Sequence, residues 1–358
     1  MLTLTILLLC LPFALPAQDR LERADGRTVS AKLVSAGLAD VVIGGADGKE
    51  TKIPAGDLMD IVPAPATDLL RRGEETFSAR DWSGAANAFS AAAAEAGASA
   101  WMPVWSGLRH GEALLQWARA DRARAGEAVA ALRTWCDANP ESFWLPRARL
   151  AQARALVIAG DADGADGLLQ QLSDLAFDRN LAKHMELEIN LERCRAFLVG
   201  KQNEVAEARL RDLVTRGIPS SDAPRGVRTR MLALRGEAQI LLGDAIAAKS
   251  GQKAATAYWE GLANDPKVSP DVRAAARVGL AVTARAENRL RDAQLQLAAV
   301  VAVLDAGAEI RARALWELAE VTALLGDHPT PSQAYYERIL TDCPDSSYAE
   351  KARTKLGR

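Results

Sequence analysis

The chain has 358 residues, 49% hydrophobic and 25% charged, an ordinary balance for a folded, water-facing protein. Its 44 Lys and Arg against 46 Asp and Glu give a net charge of -2, which excludes the broad positive field that phosphate-driven nucleic-acid binding needs. Aromatic residues are few while Ala and Arg recur throughout. Ala is the best helix former and lets helices approach closely, so the composition points to packed helices.

Residues 1–18 read as a secretory signal peptide. The apolar stretch from Leu2 to Leu15 is too short to span a bilayer, and Ala14-Leu15-Pro16-Ala17-Gln18 offers small residues for cleavage near Ala17 or Gln18. No Lys or Arg stands in the first six residues, so an uncleaved anchor is the alternative. Cys10 follows Leu9 instead of the small residue that lipid attachment needs, which argues against a lipoprotein. No later segment is long and charge-free enough to cross a membrane, so the expected product is exported: periplasmic or secreted. Cys136, Cys194 and Cys343 are odd in number and far apart, and are expected as buried free thiols.

Residues 19–62 change period. Partial alternation from Arg27 to Val34, the β-branched run Leu38 to Ile43, and short apolar pieces at Lys49–Ile53 and Leu58–Val62 predict four or five strands. Asp25-Gly26 and Asp47-Gly48 are hairpin turn signals between them. With Ile53-Pro54 before a closing strand, the pattern resembles small SH3-like or Sm-like barrels. It serves either as a partner- or wall-binding module or as a cap on the helices that follow. Pro63-Ala64-Pro65-Ala66 makes residues 63–67 a stiff linker.

From Asp68 to the end, residues 68–358, apolar stripes recur at spacings of three and four, the helical period. Three near-identical segments punctuate them: Val157-Ile158-Ala159-Gly160-Asp161, Ile240-Leu241-Leu242-Gly243-Asp244 and Ala323-Leu324-Leu325-Gly326-Asp327. Each is expected to turn one helix into the next. Small residues such as Gly73 and Ala85 are expected where paired helices cross. Ala254, Tyr258, Gly261 and Pro266, preceded by Gly236, keep the spacing of a tetratricopeptide repeat. So do Ala128, Leu132 and Pro140 after Gly111, and Ser332, Tyr336, Ile339 and Pro344 after Ala319. The region therefore resembles a TPR protein, and the resemblance implies a mainly α fold: a TPR-like α-solenoid of about seven helical hairpins, starting near Asp68, Ala100, Phe143, Asn180, Pro224, Pro270 and Glu309. Asn180 to Asp222 departs from the pattern, and Ser220–Pro224 reads as a break. The closing Cys343-Pro344-Asp345-Ser346-Ser347 resembles repeats of bacterial cell-envelope proteins of the Tol-Pal coordinator type. There Ser346 or Ser347 would cap the last helix, and Glu350 would complete a capping box.

No catalytic constellation stands out. His110, His184 and His328 fall in different units, so no shared metal centre is expected, and neither an HExxH helix, a GxSxG elbow, a phosphate loop nor a CxxC pair is present. Gly160–Asp166 lacks the bidentate Glu of a calcium loop. No cofactor is implied. The candidate binding residues are arginines counted from the small crossing residues: Arg71, Arg109 and Arg149 two positions before them, Arg230 and Arg313 six before. In a tetratricopeptide repeat these positions line the concave groove, where stacked guanidinium groups would hold an acidic protein or peptide. Trp101 and Trp105, one helical turn apart, form an aromatic platform if exposed and plain core if buried. The reading that results is a non-enzymatic, exported scaffold that binds a protein or peptide in its groove and organises the envelope. The alternatives are a glycan- or peptide-recognition subunit for a separate enzyme, and a hydrolase with its site between the β module and the first repeats.

Overall fold

The computed structural model describes residues 18–45, 48–95, 99–304, 306–326, 329–344 and 346–357. All but the last residue of the signal segment lies outside these, as do Cys10, Asp47, Asp327, His328 and Asp345.

The front module is a five-stranded antiparallel sheet of β1 (Asp19–Arg23), β2 (Thr28–Ala36), β3 (Asp40–Gly44), β4 (Glu50–Pro54) and β5 (Leu58–Val62), in the order β4-β3-β2-β1-β5. Gly26 closes the first hairpin at φ +85°, a conformation that suits glycine. One 3-10 turn, Ala55–Asp57, swings the chain from β4 to β5, which then pairs with β1. Leu21, Leu33, Val41, Leu58 and Ile61 are all buried, and they share one core with Leu70, Met102, Trp105 and Trp144 of the helical region. So small a sheet buries little surface alone, so it depends on the helices it packs against.

Among the described residues the helical region forms seven hairpins. They are α1 (Asp68–Ser78) with α2 (Trp82–Ala93), α3 (Trp101–Ala120) with α4 (Ala125–Ala138), α5 (Leu145–Ala159) with α6 (Ala162–Asp178), α7 (Lys183–Val199) with α8 (Asn203–Arg216), α9 (Arg225–Ser250) with α10 (Thr256–Asn264), α11 (Pro270–Ala286) with α12 (Leu290–Ala302), and α13 (Ala308–Leu325) with α14 (Pro329–Asp342). A last helix, α15 (Tyr348–Leu356), packs on α13 and α14. Each hairpin contacts its neighbours in sequence, as a solenoid requires. The irregular stretch Asn180 to Asp222 still folds as a regular hairpin, α7 with α8.

One turn recurs within the hairpins. A single residue enters the left-handed region at Arg80, Gly160, Lys201, Asn288 and Gly326, with φ between 58° and 92°. In the first four, the next residue's N–H reaches back five positions, as Asp161 does to the Leu156 carbonyl at 2.9 Å, so the helix ends in a Schellman-type motif. Asp81 and Asp161 then cap the second helix by accepting from the N–H groups of Gly84 and Gly164.

Gly243-Asp244 does not turn. Helix α9 runs straight through it, and its hairpin turns at Gly251, φ +86°. The residues after Asp244, Ala245-Ile246-Ala247-Ala248-Lys249, carry nothing that breaks a helix, so propagation wins. Gly243 is instead the crossing residue of this hairpin: a Cβ there would lie 2.0 Å from the Trp259 ring. Gly73 stands in the same relation to Phe89, and Gly111 to Leu132, each at 2.5 Å. The buried wedge of the fifth hairpin is thus Trp259, 1% exposed, and not Tyr258. At the far end, Ser347 makes no capping bond to α15; its N–H donates to Glu309 of α13 at 2.9 Å, and its hydroxyl bonds the same carboxylate.

Candidate functional site: the inner face of the solenoid

The first helices of successive hairpins form the inner face. Their arginines and carboxylates join into chains that cross from unit to unit. One runs Glu74–Arg109–Glu112–Arg147–Asp60, with contacts of 2.7, 2.7, 2.6 and 3.4 Å, from α1 through α3 and α5 to β5. Another links α5, α7 and α9: Arg154 reaches Glu188 and Glu192, Arg195 reaches Glu192 and Glu237, and Arg230 reaches Glu188. Burial opposes charge on Glu112, yet Arg147 and Arg109 together hold its carboxyl below the usual range. Asp60 goes the other way: burial raises it more than the distant Arg147 lowers it.

The five arginines chosen by sequence do not form one free stripe. Arg109 is 8% exposed, its guanidinium 4.0 Å from the Phe77 ring centre and held by Glu74 and Glu112; it is a strut between the first two hairpins. Arg71 is exposed and pairs within its own helix with Asp68 and Glu75. Arg149 lies half-buried near Cys136 and makes no ion pair among the described residues. Arg230 pairs with Glu188, and Arg313 with Asp244 across 69 positions at 3.1 Å. The slip has a geometric cause. Counted from Gly243, the true crossing residue, Arg230 stands thirteen positions back instead of six. Seven residues are almost two whole turns, so it keeps its face but moves along the helix.

Trp101 and Trp105 are buried, 7% and 2% exposed, and Trp105 packs on Trp144 at 5.2 Å. They build the junction between sheet and helices and offer no exposed platform. Trp144 completes that junction by donating its indole N–H to the Ile61 carbonyl at 3.1 Å.

Two cavities lie along the inner face. The larger, about 920 Å³, is lined by Arg80, Arg119, Arg122, Arg154, Arg195 and Arg353 against four glutamates. Trp82 of the first hairpin and Ser347 of the last connection both reach it, so the superhelix turns far enough for its two ends to face one chamber. Arg119 and Arg122 make no ion pair among the described residues. Arg119 bonds Gln116 at 3.2 Å, and Arg122 leans on the Ala159 carbonyl at 3.4 Å. Burial, then the neighbouring Arg154, pulls Arg119 below the usual guanidinium range. Sequence reasoning missed Arg119, Arg122, Arg154 and Arg195. Arg147, Ala151 and Arg154 at i, i+4 and i+7 were the legible signal for this face.

The smaller cavity, about 450 Å³, lies between the sheet and the starts of α5, α7 and α9. It occupies the place that the hydrolase reading required. Among the described residues its lining holds no Ser, Thr, Cys, Lys or Tyr, so it offers carboxylates and His184 but none of these nucleophiles. The sheet does more than cap one end. The Phe143 N–H donates to Ala36, and the Gly226 N–H, at the start of α9, donates to Ala24. The sheet therefore bridges the third and fifth hairpins. Cys136, Cys194 and Cys343 are free and buried, and burial pushes the Cys194 thiol up to about 12, which leaves it inert.

Solved structures that resemble this chain include two repeat proteins. TPR-like repeats of a Podospora anserina kinesin light chain, described as nearly identical to one another, match at 21% identity over 58% of this chain and 95% of that one, with a TM-score of 0.35. The APC/C heterotetramer Cut9–Hcn1 matches at 12% identity over 80% of this chain, which spans 55% of that one, with a TM-score of 0.28. No protein-family profile matches, and no curated protein does. Superpositions this loose carry no argument about function. The seven hairpins and their small-residue crossings themselves make the fold a TPR-like α-solenoid preceded by a small antiparallel sheet.

Proposed function

We propose that this chain is a non-catalytic scaffold that holds a segment of a partner protein in the larger inner chamber. The observation that carries the proposal is the pair of arginines there, Arg119 and Arg122, which lack carboxylate partners among the described residues, in a chamber whose described lining holds six arginines and four glutamates. Such a site favours an acidic segment, because its carboxylates complete pairs that the fold leaves open. The buried thiols and the mutually paired carboxylates support a role without bond chemistry. The apolar start of the chain supports export, and with it a place in envelope organisation. The meander closed by β5 on β1 supports an SH3-like or Sm-like origin for the sheet. The glycan-recognition alternative loses its support, since Trp101 and Trp105 are buried.

A labelled hexaglutamate peptide tests the reading, with hexalysine as the control. The double variant Arg119→Glu, Arg122→Glu should lose at least about tenfold in affinity for the acidic peptide while its helix content is kept. Equal binding by wild type and variant refutes the chamber as the site. Cross-linking in an envelope fraction tests location separately.

A further inference from the structure

The smaller cavity holds a polar cluster that the scaffold role does not use. His184, in the first turn of α7, lines it, is 6% exposed, and its Nδ1 has no partner among the described residues. Burial, with Arg230 adding, pushes the ring down to about 4 against the pull of Glu188, so the imidazole is neutral near pH 7. A buried ring nitrogen without a partner carries a desolvation cost that a bound group can relieve.

Two further donors meet there. No side chain caps α7 at Ala182; the Met185 N–H donates to the Ala182 carbonyl at 2.8 Å, while the Lys183 and His184 N–H groups keep their hydrogen-bonding capacity at the positive end of the helix dipole. Arg230 reaches Glu188 with its Nη2 at 2.8 Å, and its planar guanidinium carries more donors than that one contact needs. Glu188 lies between Arg154 and Arg230, and these hold its carboxyl below the usual range despite burial; its charge is thus already balanced. Met59 from the sheet, Phe143 just before α5, Leu150 within α5 and Met185 from α7 supply apolar wall, while Glu22, Asp60 and Arg147 face the same cavity, Asp60 being paired with Arg147. A volume of about 450 Å³ falls in the range of small-molecule sites, which combine apolar walls with a few converging polar groups.

We propose that this cavity binds a small organic monocarboxylate, its anion seated on the first-turn N–H groups of α7, the Arg230 guanidinium and the His184 ring, and its apolar body against Phe143, Leu150 and Met185. The sheet forms one wall, so a bound ligand would also tie the sheet to the third, fourth and fifth hairpins.

Phenylbutyrate is a suitable probe, with phenylbutanol and phenylbutylamine as controls of the same body, followed by calorimetry on the full chain. Phenylbutyrate should bind saturably and at least about tenfold more tightly than either control. Arg230→Gln, which leaves Glu188 paired with Arg154, should abolish that preference while hexaglutamate binding in the larger chamber persists. His184→Gln should weaken phenylbutyrate too, and the wild-type His184 ring signals should shift on titration. Absence of saturable binding, equal affinity for acid and alcohol, or full affinity in Arg230→Gln would each overturn the proposal. Because the two sites are probed by different ligands and different arginines, failure here leaves the scaffold reading standing, and the reverse holds.

Discussion

Replacing Gly243 by Ala, alone and beside Trp259→Ala, separates a crossing glycine from a turn glycine. Gly243 sits inside α9, where Ala is favoured over Gly by about 1 kcal/mol through backbone entropy alone. Against that gain stands Trp259. The added Cβ would lie 2.0, 2.2 and 2.5 Å from three atoms of its ring, far inside van der Waals contact. The ring cannot swing away, because it is 1% exposed and its other side meets Gly279, where a Cβ would also come within 2.5 Å. Overpacking of this kind costs roughly 3 kcal/mol, so the net expectation is a loss of about 2 kcal/mol. Gly167→Ala in α6 is the matched control: a Cβ there meets nothing within 4 Å, and the variant should gain about 0.5–1 kcal/mol. Urea unfolding followed by far-UV circular dichroism reads both. Adding Trp259→Ala to Gly243→Ala should restore the ordinary preference for Ala at 243, which a double-mutant cycle measures. A Gly243→Ala protein as stable as wild type, or more so, would refute the wedge, and a loss that persists beside Trp259→Ala would assign the cost to the backbone instead.

Arg109→Ala should destabilise by about 2 kcal/mol, because it takes from Glu112 one of its two arginines and from the part-exposed Glu74 its partner across the hairpins; Arg71→Ala, exposed and paired within its own helix, should leave the urea midpoint unchanged. Stability should fall as pH drops from about 6.5 towards 4, since His184 titrates near 6.5 when unfolded and at about 4 when folded beside Glu188 and Arg230. The unfolded chain then binds the extra proton, a loss of up to about 3 kcal/mol, and His184→Gln should flatten that slope between pH 4 and 7. At the start of α9, a Cβ on Gly226 would press to 2.8 Å from the Ala24 carbonyl that its own N–H bonds. Gly226→Ala should therefore raise hydrogen exchange at residues 226 and 227 while the core of α9 stays protected.

Periodicity made the hairpins legible because each first helix buries a stripe against the next, and that stripe has a helical period in sequence. The turns were harder. Five hairpins share one left-handed residue, but Arg80, Lys201 and Asn288 fill it without glycine, so a search for Gly-Asp sees Gly160 and Gly326 only and is misled by Gly243. A glycine in sequence does not declare whether it is kept for its φ or for its missing Cβ; only the neighbour across the interface, Trp259, decides that. The groove arginines were legible by type and face but not by availability. Arg109 and Arg313 stand where counting from the crossings places them near the inner face. Their partners Glu74 and Asp244 lie 35 and 69 residues away, beyond any local pattern.

That long-range pairing bears on what the inner face can recognise. A partner carboxylate that approaches Arg154 or Arg195 must displace a carboxylate already in place, and stranding Glu188 or Glu192, 8% and 2% exposed, would return most of the energy gained. The paired arginines thus set the spacing of the hairpins and hold the wall rigid, while contributing little net affinity. In the proposals above, recognition falls to Arg119 and Arg122 in one chamber and to His184, Arg230 and the uncapped start of α7 in the other. Both lie against Arg154, which lines the two cavities alike and is bonded to Glu188 on one side and Glu192 on the other. A ligand that draws Arg154 towards either chamber weakens a pair facing the second. Through that one side chain, occupancy of the small cavity and of the large one would be thermodynamically coupled, each changing the other's affinity by the same factor.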